Sequence, residues 1–196
     1  MKIKQLEIFV MLLAIVLTVR LSESDAKVKT FIQKIKGGGY VMDATQTTDG
    51  NYISVSRADA TSATWIVRKV TPLGKRIWER KFSQVANGYW SLQSIAQTNE
   101  GYVLVGSAYD TEPGESLSAA IVVALHSDGT VNWTKRFGIT TSFGASAAIG
   151  FTTVTSTADG GFIVTGWAYE VPFLLLKFVQ DGNIQWQKAF SPLHQV

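Results

Sequence analysis

Cysteine is absent from this chain of 196 residues. That removes disulfides, thiolate metal sites and a cysteine nucleophile. Charge is also scarce. Asp, Glu, Lys and Arg make up 17%, which is low for a surface built of solvent-facing helices. Only four prolines occur against 46% hydrophobic residues, so the chain is neither disordered nor collagen-like. The only two histidines are His126 and His194. His126 sits beside Ser127 and Asp128, but neighbours in sequence cannot converge as a triad does. His194 lies in the tail. No Asp-x-Asp-x-Asp loop occurs, so no calcium site is expected. The net charge is +3 and the pI about 9.1. No basic stripe interleaved with aromatics accompanies them, so no nucleic-acid partner is expected. No cofactor and no metal are expected either. What is abundant is Thr, Ser, Val, Gly and aromatic residues, the composition of strands and turns.

Residues 1–26 read as an export signal. Lys2 and Lys4 precede an apolar run from Ile8 to Val19, which Arg20 stops. Such a run spans about 18 Å as a helix, short of the roughly 30 Å of bilayer hydrocarbon. Ser24-Asp25-Ala26 offers small residues for cleavage after Ala26. The protein is therefore expected outside the cytoplasm, whether extracellular, periplasmic or on the cell surface. The alternative is an uncleaved anchor, the one route to a membrane.

The remainder is a repeat. Gly74, Trp78 and Phe82 recur as Gly129, Trp133 and Phe137, and again as Gly182, Trp186 and Phe190. The tryptophans are 55 and 53 residues apart. A second block keeps the same phase: Thr47 to Val55, Thr98 to Gly106 and Thr157 to Thr165, with Gly106 and Gly166 in matching places. An alternating stretch precedes each block and a strongly apolar stretch follows it. Each unit thus contains four short strands. Asp-Gly or Glu-Gly turns join the first pair. Pro72-Leu73-Gly74, Ser127-Asp128-Gly129 and Gln180-Asp181-Gly182 join the last. Four antiparallel strands every roughly 50 to 60 residues is the sequence form of a β-propeller blade.

The block Asp159-Gly160-Gly161-Phe162-Ile163-Val164-Thr165-Gly166 resembles the "DGGYIVAG" element of secreted bacterial and archaeal β-propeller repeat proteins. The stretch Val123 to Trp133 is similar to the tryptophan-docking motif of quinoprotein-like propellers. The resemblance covers about residues 28 to 190 and implies an all-β fold of stacked blades. It does not carry quinoprotein activity to this chain, because the acidic cluster and vicinal disulfide that would suggest that cofactor pocket are missing.

The expected architecture is three blades, about 40–82, 88–137 and 145–190, in an open arc forming a partial propeller over 27–196. An extra strand is expected at about 28–36. Propellers usually close with about four to eight blades. The uncovered blade faces would therefore take further blades or other copies of the chain. Candidate ligand groups lie on the expected loops: Tyr89, Trp90, Tyr109, Asp110, Glu112, Phe143 and Tyr169. Trp90 and Phe143 equally suit burial between blades. The first strands, which line the channel, carry Asp43 and few other charges. This favours a noncatalytic binding or scaffold module with a protein or glycan ligand. The competing reading is a propeller-based hydrolase or lyase, which needs converging carboxylates or a histidine. Mass spectrometry of the exported protein is expected to find Lys27 at the N-terminus; an intact Met1 would show an anchor instead.

Overall fold

The computed structural model describes residues 39–59, 63–83, 88–110, 118–140, 146–169 and 171–190. All of them belong to one compact unit, Ile35–Val196. The expected signal peptide, the extra strand at 28–36, Glu112, Phe143 and His194 lie outside the described residues. Among those described there is no helix.

Three sheets of four antiparallel strands account for nearly all of the structure, each with its strands in chain order. Blade 1 comprises β1 (Tyr40–Gln46), β2 (Tyr52–Arg57), β3 (Trp65–Val70) and β4 (Arg76–Phe82). Blade 2 comprises β5 (Gly88–Gln97), β6 (Gly101–Asp110), β7 (Ser118–His126) and β8 (Val131–Phe137). Two short strands, β9 (Ile139–Thr140) and β10 (Ser146–Ala147), pair within the connection expected to be a loop. Blade 3 comprises β11 (Ile149–Ser156), β12 (Phe162–Ala168), β13 (Val171–Phe178) and β14 (Ile184–Phe190). The fold is all-β, an open partial propeller of three blades.

Period-two alternation explains how the blades stack. On blade 2, Tyr102, Leu104, Ile121, Val123 and Leu125 pack with Ile53, Val55, Trp65 and Val67 of blade 1. Their neighbours Val103, Val105, Ala120 and Val122 pack with Phe151, Phe162, Val164 and Phe178 of blade 3. Blade 2 is thus covered on both faces, and its central strand β7 is buried from Ala120 to Leu125.

The repeated tryptophan grips the next blade at a glycine. Gly129, in the β7–β8 turn, has φ +83°, and a Cβ there would lie 2.8 Å from the Trp78 ring. Gly182, in the β13–β14 turn, has φ +77°, and a Cβ would lie 2.4 Å from Trp133. Positive φ and the ring's approach both demand glycine. A basic residue two positions after each tryptophan holds the same turn. Arg80 donates to the Asp128 carbonyl at 2.8 Å. Lys135 donates to the Asp181 carbonyl at 2.9 Å and to the Asn183 side chain at 3.0 Å. Both cations also lie over their own indole, 5.9 and 5.4 Å from the ring centroid.

The substitution Gly182→Ala should therefore displace Trp133 and strain the turn. A destabilisation of about 1–3 kcal/mol is expected from overpacking, read from urea denaturation; an unchanged midpoint would refute the ring-on-glycine contact as a determinant of stacking.

Candidate binding groove

Each innermost strand carries a bulge at the same place. The pairing register shifts between Val41 and Asp43, between Leu92 and Ser94, and between Phe151 and Thr153. Bulges re-aim side chains, and here they turn Asp43 and Ser94 towards the following blade. The Asp43 carboxylate accepts from the Ser94 hydroxyl at 2.6 Å and from the Ile95 backbone N–H at 3.0 Å. Ser94 Oγ in turn accepts the Val154 N–H at 3.3 Å. One hydrogen-bonded chain so ties the inner strands of all three blades together. The Asp43 carboxylate, noted in the sequence as a charge on the channel-lining first strands, is committed to holding blades together.

Toward the β1–β2, β5–β6 and β11–β12 turns, the inner strands open into a groove of about 530 Å³. Its walls are hydroxyl and amide side chains, chiefly Gln46, Gln97, Thr98, Asn99, Thr155 and Ser156. Its floor is Ile95, Ala96 and Val154, all buried. Thr48 and Gln97 bind each other across the first blade boundary, the Thr48 N–H to Gln97 Oε1 at 2.7 Å and Gln97 Nε2 to Thr48 Oγ1 at 3.0 Å. Among the described residues no charged side chain lines the groove.

The nearby turn carboxylates are neutralised in place. Asp49 pairs with Lys69 at 2.6 Å and Asp159 with Lys177 at 2.8 Å. Thr47 and Thr157 donate to the same carboxylates. The lysine hydrogen bond first, then the threonine hydroxyl, holds each carboxyl far below the usual carboxylate range. Glu79 is lowered as well: burial opposes its charge, but Arg68 and Arg76 outweigh it. Asp128 is lowered by hydrogen bonds from Thr130.

The candidate ligand residues read from the sequence do not line this groove. Tyr89, Trp90, Tyr109 and Asp110 were expected on loops, but β5 begins at Gly88 and β6 runs to Asp110. The hairpin continues past the loop boundary because its ends keep pairing, Gly88 with Asp110 and Tyr89 with Tyr109. Tyr89 and Tyr109 stack with centroids 4.7 Å apart, at the opposite end of blade 2 from the groove. Trp90 is half-buried between blades: its carbonyl accepts the Trp65 indole N–H, and its ring packs near Phe82. Tyr169 is exposed in the β12–β13 turn, with its N–H on the Ala148 carbonyl. His126 ends β7 and closes the β7–β8 turn through its backbone. Among the described residues no group of three or more His, Asp or Glu could hold a metal ion. The groove residues were missed because Thr, Gln and Asn at strand ends look like ordinary turn chemistry.

No family model and no curated protein matches the chain. A solved structure described as a protein of unknown function from Bacteroides caccae is similar at 12% identity and a TM-score of 0.46. The match covers 82% of this chain and 49% of that one.

Asp49 and Asp159 have lowered folded-state pKa values, so their protonation favours the unfolded chain. Their stabilisation is fully present above about pH 4 and is lost as the pH falls below it. The denaturant midpoint should fall in that acid range. Asp159→Asn should lower stability at neutral pH, where Lys177 loses its partner, and should flatten the acid limb; an acid limb identical to that of the parent would refute the pairing.

Proposed function

We propose that the protein is an exported, noncatalytic binding and scaffold module that holds a further propeller blade against blade 3. The single observation that carries this reading is the uncovered face of blade 3. Its aromatic residues take the places of those on the gripping face of blade 1, and the Trp and Phe those of Trp133 and Phe137 in blade 2. Trp186 and Phe190 match Trp78 and Phe82, and Phe173 matches Trp65. Lys188 lies 5.8 Å from the Trp186 centroid, as Arg80 lies over Trp78. Yet Trp186 is 38% exposed, Phe173 44% and Phe190 47%. A patch of aromatic groups so arranged is an association surface.

Export rests on the charged start and apolar run of residues 1–26. The Asp159–Gly166 block supports a place among the secreted propeller repeat proteins. The noncatalytic reading is supported by Asp43, whose carboxylate is already bound by Ser94 and Ile95.

Without a partner blade, two copies should pair through this face. Sedimentation velocity of the full chain is expected to show self-association. The double variant Trp186→Ser, Phe190→Ser should weaken it at least tenfold, since each buried aromatic contributes about 1.5–3 kcal/mol. A chain that stays monomeric at its solubility limit would sink the reading.

A further inference from the structure

We propose that the groove between the inner strands binds a neutral oligosaccharide. This deepens the binding-module reading by naming a ligand class and a site at the end of the blades opposite the stacked tyrosines. Its volume of about 530 Å³ falls within the roughly 300–1,000 Å³ of small-molecule sites. Most such sites are lined by apolar and aromatic side chains; the walls of this one are hydroxyls and amides.

Those groups both donate and accept, as sugar hydroxyls do. Several are free to do so. Among the described residues, the side chains of Thr98, Asn99, Thr155 and Ser156 have no hydrogen-bond partner, and Gln46 makes only a long contact of 3.5 Å to Gly50. Gln46, Thr155 and Ser156 lie at the ends of inner strands β1 and β11, and Thr98 and Asn99 in the turn after inner strand β5, so all three blades contribute.

Charge selects against the alternatives. An anionic ligand needs a cation, and the nearest lysines, Lys69 and Lys177, are held by Asp49 and Asp159. A cationic ligand would need a free carboxylate, and those two carboxylates are already paired. The match is therefore to a ligand with many hydroxyls and no charge. The three inner strands are tied by the Asp43–Ser94–Val154 chain of hydrogen bonds, so the walls are preorganised and little ordering is needed on binding.

Isothermal titration of the full chain with maltohexaose, cellohexaose, mannohexaose and chitohexaose tests this. Polygalacturonate serves as the anionic control and a Gly-Ser-Asn peptide as the amide control. At least one neutral hexasaccharide should bind. Asn99→Ala and Ser156→Ala should each weaken it about three- to tenfold, the range of one neutral hydrogen bond. Both residues are exposed, so the thermal midpoint should not move. No binding of any neutral saccharide, tighter binding of polygalacturonate or the peptide, or affinity indifferent to both variants would overturn the proposal. The Trp186→Ser, Phe190→Ser variant should keep its saccharide affinity, so failure of blade association and failure of the groove are read separately.

Discussion

A four-stranded sheet with apolar residues on both faces cannot stand alone, because each face must be removed from water. The rest of this structure depends on that constraint. Blade 2 meets it completely, since alternate residues of β6 and β7 go into two different cores, one shared with each neighbour. The contact is pinned at two radii. At the outer strand an indole lies on a turn glycine with a cation over it. At the inner strand a bulge residue accepts a backbone N–H of the next blade. Between these pins the packing is aliphatic and aromatic and carries most of the burial.

The two pins differ in what they demand of side chains. The outer one needs a flat ring, a residue without Cβ and a long cation, so the same types recur in all three blades. The inner one needs only an acceptor in the right place, and Asp43 and Ser94 both provide it. Thr153 occupies the same bulge position in blade 3, where its hydroxyl bonds to that of Thr165. A role that any oxygen can fill leaves little trace as a sequence repeat.

That difference sets what could be read in advance. The four-stranded units, the turn glycines and the tryptophan repeat were legible, because β periodicity and positive-φ turns tie residue type to position. Burial of Trp90 was legible as one of two readings. The strand placement of Tyr89 and Tyr109 was not, since where a hairpin stops pairing depends on twist and on the neighbouring blade rather than on local propensity. The groove was invisible for another reason. Its walls come from turns about fifty residues apart, and each threonine or asparagine has an ordinary local use at a turn.

The sequence by itself determined the architecture: strand count per repeat, the order of strands and the residue types that recur at the outer pin. These follow from local periodicity, which a single chain displays openly. Only the tertiary structure decided the employment of the polar groups. It tied Asp43 to the next blade, bound Asp49 and Asp159 to buried lysines, and left Asn99 and Ser156 open beside a shared groove. The physical reason is that a hydrogen bond or ion pair is made between specific atoms at about 3 Å, and which atoms meet depends on how whole blades pack.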